Sequence, residues 1–108
     1  MSVEQTNVID FIGINNETGY VILTISDHLA WTGQDAEHIS VLQEKLNAYF
    51  RFVESGEIYQ SYPKARGRQI LIDIVGKYPP NDFACEFLAY AEDVAKSAGI
   101  GLCSRLLE

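Results

Sequence analysis

Apolar residues recur along this chain with two different periods, and each change of period marks a change of element. The stretch from Asn7 to Ile14 is apolar and rich in β-branched residues, and so is the stretch from Tyr20 to Ser26. Between them, Asn15-Asn16-Glu17-Thr18-Gly19 supplies residues that tolerate the positive φ of a tight turn. The pattern predicts an antiparallel hairpin. Within Gln34 to Ser55, the residues Ile39, Leu42, Leu46, Tyr49 and Val53 recur at steps of three and four, which is one face of a helix, and Gly56 follows as its left-handed stop. Ile70, Ile72 and Ile74 then alternate with Leu71, Asp73 and Val75 as a third strand, ended by Tyr78-Pro79-Pro80. A second helix begins at Asn81 or Asp82, either able to cap it, and carries Ala84, Phe87, Leu88, Ala91, Val94, Ala95 and Ala98 on one stripe before Gly99. Ile100 to Leu107 forms a last short strand, with Ile100, Leu102 and Leu106 on one face.

The order β-β-α-β-α-β predicts an α+β fold, a two-layer sandwich in which two helices lie on one face of a four-stranded mixed sheet. Short joints around the second helix make the last two strands parallel, through a right-handed crossover. The 108 residues, 1–108, fit a single domain. The pattern leaves the strand order open. Glu57 to Gly67 reads as a long connecting loop of the kind that carries function. Asp10 and Asp73 interrupt apolar strands and read as edge positions or as inward charges that protect an unpaired strand.

Both faces of the expected sheet are partly apolar: Leu71 and Val75 oppose the three isoleucines, and Ile22 opposes Val21, Leu23 and Ile25. A two-layer fold covers only one face, so the other face implies either a homodimer through the sheet or a cover formed by the Glu57 to Gly67 loop or a chain end.

Composition narrows the partners. An apolar fraction of 47% is ample for a packed core. Fifteen acidic against eight basic residues give a net charge of −7, which disfavours nucleic acid and favours, if anything, a basic protein partner. No apolar run approaches membrane-spanning length, and Met1-Ser2-Val3-Glu4-Gln5 lacks the basic and apolar regions of a secretion signal, so the expectation is a cytoplasmic protein with no membrane contact. Cys85 and Cys103 are too few for a zinc cluster and are not spaced as a redox pair, which leaves two free thiols.

Candidate chemistry concentrates at the junction of the second strand and the first helix, where His28, Trp31 and His38 hold both histidines and the only tryptophan. Ser26, Asp27 and His28 are adjacent on a strand and so point to alternate faces, which disqualifies them as a triad. Asp27 reads instead as a polar residue at the strand end and His28 as a partly buried hydrogen-bonding group. Trp31 reads as a cap on the core whose indole N–H needs an acceptor. A metal set of Asp27, His28 and His38 has suitable donor types but no compact ligand motif, so no metal and no cofactor are assigned. A second cluster, Lys64, Arg66 and Arg68 beside Tyr59 and Tyr62, offers either a grip for a phosphate or acidic partner or a solvated loop.

The stretches Thr24-Ile25-Ser26-Asp27-His28-Leu29 with Trp31, Leu42-Gln43-Glu44-Lys45-Leu46-Asn47-Ala48-Tyr49, Glu54-Ser55-Gly56-Glu57-Ile58-Tyr59 and Tyr62-Pro63 resemble a family of small uncharacterised bacterial proteins. The likeness extends over nearly the whole chain, from Asn7-Val8-Ile9-Asp10 to beyond Tyr78-Pro79-Pro80. It implies a short, single-domain protein without an evident active site and, by analogy with bacterial toxin-immunity systems, an immunity-like role. Two functional expectations follow. One is a non-enzymatic protein-binding module, and the other is a small-ligand-binding or enzymatic domain. The second requires a pocket near Asp27, His28 and Trp31, walled on its far side by the Tyr59 to Arg68 segment.

Overall fold

The computed structural model of the chain describes residue 9 and residues 11–31 and 35–107. Strand β1 (Phe11–Ile14) pairs antiparallel with β2 (Val21–Asp27), with Ile14 opposite Val21 and Phe11 opposite Thr24. Their turn is closed by its own side chains. The Asn15 carboxamide oxygen accepts from the N–H groups of Glu17 and Thr18 at 2.8 and 3.1 Å, and Gly19 takes φ +77°, where a Cβ would be strained. Of the sequence-predicted start of this hairpin, Ile9 packs half-buried against the core, while residues 7, 8 and 10 lie outside the described residues.

Strands β3 (Ile70–Gly76) and β4 (Gly101–Leu106) run parallel to β2, and the sheet order is β1-β2-β3-β4. Helix α1 (Asp35–Glu54) leads from β2 towards β3, and α3 (Asp82–Ser97) leads from β3 to β4. Two right-handed crossovers stepping in the same direction put both helices on one face, and burial follows that geometry. Val21, Leu23 and Ile25 form one cluster with Ile70, Ile72 and Ile74, and Leu42, Leu46 and Tyr49 of α1 close over it. The architecture is the expected α+β arrangement, β-β-α-β-α-β around a mixed four-stranded sheet. No helix of the described residues is long and apolar enough to cross a membrane.

The segment expected to be a loop is mostly helical. It forms α2 (Glu57–Ser61) and a 3₁₀ turn at Pro63–Ala65, entered through Gly56 at φ +83°. Ile58 and Ala65 are fully buried in the helix-side core, so this segment does not cover the second face of the sheet. Pro63 does not break the structure here, because at the first position of a helical turn its missing N–H costs nothing.

The buried face of α1 is rotated from the apolar stripe. His38, Lys45 and Phe52 are buried together with Leu42, Leu46 and Tyr49, whereas Ile39 and Val53 are only half-buried. Lys45 is fully buried, with its ammonium 5.7 Å from the Tyr49 ring centroid. The Tyr49 hydroxyl donates to the Thr24 carbonyl at 2.6 Å, fastening the middle of α1 to β2. Helix α3 departs from its stripe in the opposite sense. Its buried residues are Ala84, Ala91 and Ala95, while Val94 and Ala98 are exposed.

On the second face, register aligns Phe11, Thr24, Asp73 and Cys103 across all four strands. Phe11 lies over Gly13 and Leu71 over Gly101, where an added Cβ would stand 3.2 and 2.8 Å from those side chains. Asp73 occupies a central strand, not the edge position that the pattern suggested. Its carboxylate is buried among these neighbours and accepts from Arg105 Nε at 3.0 Å and Cys103 Sγ at 3.5 Å. Among the described residues no helix lies on this face.

Because Ile72 is fully buried at the centre of the helix-side core, Ile72→Ala should cost about 2–5 kcal/mol in urea unfolding, through lost transfer energy and the cavity left behind.

Candidate functional site

Alternation along β2 turns Val21, Leu23, Ile25 and Asp27 towards the helices, so the last residue of an apolar face delivers a carboxylate into the interior. Asp27 is 4% exposed and meets His38, 3% exposed, in the first turn of α1. The imidazole Nε2 lies 2.8 and 2.6 Å from the two carboxylate oxygens, and Nδ1 lies 3.2 Å from the Ala30 carbonyl oxygen. A carbonyl only accepts, so Nδ1 carries a hydrogen and donates it to Ala30. Nε2 is engaged by the Asp27 carboxylate. Both ring nitrogens are occupied, leaving none to take a proton from a substrate or to bind a metal. The Leu29 N–H donates to Asp27 Oδ1 at 3.2 Å, which bends the chain away from the strand. The bend brings Trp31 onto His38, with ring centroids 3.5 Å apart and planes at 15°.

Asn81 joins the second helix to this junction. As the N-cap of α3 its Oδ1 accepts from the Ala84 N–H at 2.8 Å, while Nδ2 donates to Asp35 Oδ2 at 2.7 Å and to the Trp31 carbonyl at 3.4 Å. The amino ends of α1 and α3 are therefore linked above the carboxyl ends of the parallel strands. A cavity of about 250 Å³ opens there, lined by Asp27, Trp31, Leu42, Ile74, Tyr78 and Leu88, with Gly76, Pro80 and the Ser104 to Leu106 end of β4.

The residues singled out in the sequence divide between two ends of the sheet. Asp27 and Trp31 line the cavity, but His28 is exposed, contrary to the partly buried group expected of it. Asp27 and His38 touch while His28 lies at the surface, and among the described residues no group of three His, Cys, Asp or Glu side chains is arranged to hold a metal ion. Tyr59, Tyr62, Lys64, Arg66 and Arg68 precede the amino end of β3, whereas Asp27 pairs with Gly76 at its carboxyl end. Seven residues of strand, about 20 Å, separate the two clusters, so they do not form the two walls of one cleft. The second wall is supplied by Tyr78, Pro80 and Leu88 instead.

The basic cluster is largely committed to its own chain. Arg68 Nη1 donates to the Gly19 carbonyl and Nε to the Lys64 carbonyl, both at 3.0 Å, clamping the hairpin turn against the 3₁₀ turn. The Arg66 guanidinium lies 5.4 Å from the Tyr59 ring centroid, and Tyr59 and Tyr62 pack half-buried on the core. Lys64 is exposed. His38 and Lys45 were the informative residues on α1, and their sequence signal was spacing: 38, 42, 45, 49 and 52 step by four and three through the buried face.

On the other face of the sheet, partial burial followed by the Asp73 carboxylate pushes the Cys103 thiol up to about 11. A raised thiol pKa favours the protonated form, so at pH 8 about one molecule in a thousand is thiolate. In a Cys85→Ser background, iodoacetamide should therefore alkylate Cys103 slowly and gain about tenfold in rate per pH unit until the pH approaches 11. Asp73→Asn should accelerate the reaction at fixed pH.

The Asp27–His38 pair predicts its own stability signature. His38→Ala strips the partner from a buried carboxylate and should cost on the order of 3–5 kcal/mol in urea unfolding. Replacing both residues by leucine should be less damaging than that single change, because no unpaired polar group remains inside.

No curated protein and no solved structure matches the chain. The family of unknown function DUF6572 matches it over residues 1–108, its whole length, and the chain belongs to that family.

Proposed function

We propose that this protein is a non-enzymatic, cytoplasmic protein-binding module, immunity-like in acting by occupancy, not turnover, and that α3 is the element it presents. The observation that carries the reading is the outer face of that helix. Phe83, Phe87, Tyr90 and Val94 follow one another at steps of four, three and four, which aligns them on one side. Phe83 is 52% exposed and Tyr90 65%, in a helix whose inward face is made of alanines. Single exposed apolar residues are ordinary, whereas Phe83, Tyr90 and Val94 exposed along one side, with Phe87 half-buried between them, match the aromatic anchors on which protein interfaces are built.

Charge selects the occupant. Asp82, Glu86 and Asp93 lie along one flank of the row, with Lys96 as the helix's one cation, in a chain of net charge −7. A second copy meeting this ridge with its own would oppose carboxylates to carboxylates. An apolar partner surface rimmed by lysine or arginine complements it in both respects. The absence of turnover in this reading is supported by His38, whose ring nitrogens are both engaged, and by Cys103, whose thiol is held protonated. Two free cysteines suit a reducing compartment.

A homodimer through the second sheet face is a separate reading, favoured by Phe11, which is 60% exposed beside Ile22 and Leu71. Light scattering decides it: a species of twice 12.1 kDa at micromolar concentration, lost in Phe11→Lys, supports the sheet dimer, and a monomer removes it.

For the ridge, a lysine-rimmed amphipathic helical peptide serves as the probe, with a glutamate-rimmed peptide of the same apolar face as its control. The protein should bind the first and not the second, with affinity falling as salt rises. Phe83→Ser/Tyr90→Ser should weaken binding by at least about tenfold while leaving the melting temperature within a few degrees, since both side chains are exposed. Equal binding of the two peptides, or binding indifferent to the double substitution, sinks the proposal.

A further inference from the structure

We infer that the cavity at the carboxyl ends of β2, β3 and β4 is a binding site for a small, neutral, planar heteroaromatic molecule that carries an N–H donor. It seats its ring against the apolar wall of the cavity and directs the donor to Asp27. This site is independent of the α3 ridge, since none of Phe83, Phe87, Tyr90 or Val94 lines it.

The walls set the body of the ligand. Trp31, Leu42, Ile74, Tyr78 and Leu88 make an apolar lining with two aromatic rings, and the volume of about 250 Å³ is that of about eight waters, the space of a one- or two-ring heterocycle. Ligand pockets of this composition fix orientation through a few polar groups. Among the described residues, Asp27 is the only ionisable side chain that is both buried and in the lining.

The hydrogen-bond count at Asp27 sets the ligand's polar edge. Oδ1 accepts from the Leu29 N–H and lies within reach of His38 Nε2, whereas Oδ2, among the described residues, is engaged by Nε2 alone. Each carboxylate oxygen offers two lone pairs, so Oδ2 retains acceptor capacity beside the apolar wall, with Ser104 and Arg105 on the β4 side of the cavity. A donor on the ligand uses that capacity. Net charge is excluded on both sides. A cation finds a carboxylate already engaged by the His38 imidazole and the Leu29 N–H, and an anion meets carboxylate oxygens that can only accept, in a chain of net charge −7. His38 meanwhile fixes both the carboxylate and the indole, so the site is organised before a ligand arrives.

The experiment uses Trp31, the chain's only tryptophan, as reporter. Benzimidazole, neutral at pH 7.5 and carrying one ring N–H, is titrated into the protein with excitation at the red edge of the tryptophan band. In parallel, 1-methylbenzimidazole supplies the same ring without the donor, and benzoate supplies an anion of similar size. Benzimidazole should change the Trp31 emission saturably, with 1-methylbenzimidazole binding roughly tenfold more weakly and benzoate not binding.

Ser104→Phe, an exposed position on the cavity wall, should abolish the titration while leaving the fold intact by circular dichroism. Asp27→Asn should weaken benzimidazole more than its methyl analogue; if that variant fails to fold, the ligand pair and Ser104→Phe still decide. Phe83→Ser/Tyr90→Ser should leave the titration unchanged, which keeps this site's failure distinct from the ridge's. The inference is overturned if benzimidazole gives no saturable change up to its solubility limit, if the methyl analogue binds as well, or if Ser104→Phe has no effect.

Discussion

A buried carboxylate is tolerable only with a partner, and here the partner sits on a different element. Asp27 ends β2 and His38 begins α1, so satisfying one side chain fixes the position of a helix relative to a sheet. The consequences spread from that contact. The imidazole held against Asp27 becomes the surface on which Trp31 stacks, the Trp31 carbonyl accepts from Asn81, and Asn81 caps α3 and holds Asp35. Five residues from four segments are thus positioned in sequence by one ion pair. The cavity beneath them is a by-product of the same arrangement, because the linked helix ends stand above the strand ends without filling the space between.

What the sequence makes legible is what is decided locally. The Asn15 to Gly19 turn is encoded by residues that bond one another within it, and its hairpin follows. Gly56 and Gly99 end their helices with positive φ as their chemistry allows. The α2 helix is a different matter. Five residues are too few to display a period, and Pro63 at the start of the next turn imitates a breaker. The face of α1 was concealed for another reason. An apolar template passes over His38 and Lys45, although both are buried, because their polar groups find partners that only the assembled fold provides.

The candidate sites follow the same division. Nearness in sequence drew Lys64, Arg66 and Arg68 together as a possible grip, yet Arg68 reaches back across the chain to Gly19 and Arg66 lies over Tyr59. The Asp27–His38 pair, eleven positions apart, has no motif, and its existence depends on the direction in which α1 leaves the sheet. The outward row on α3 was partly visible as apolar residues, but its orientation depended on which side of the helix meets the core. Alanine at 84, 91 and 95 settles that by letting the helix pack closely, which leaves Phe83 and Tyr90 outside and Phe87 half-buried at the margin.

The sheet order has a kinetic meaning. Every strand pairs with the strand that precedes it in the chain, so β1-β2-β3-β4 is also the order of synthesis. The hairpin can form from its own turn, each later strand arrives with the helix that carries it, and no strand waits for a partner made after the next one. An emerging chain of this topology always has a finished edge ready for the next strand to be added, and the unpaired interval is never longer than one helix and its joints. Assembly by accretion of this kind limits the time during which apolar strand edges are open to other chains.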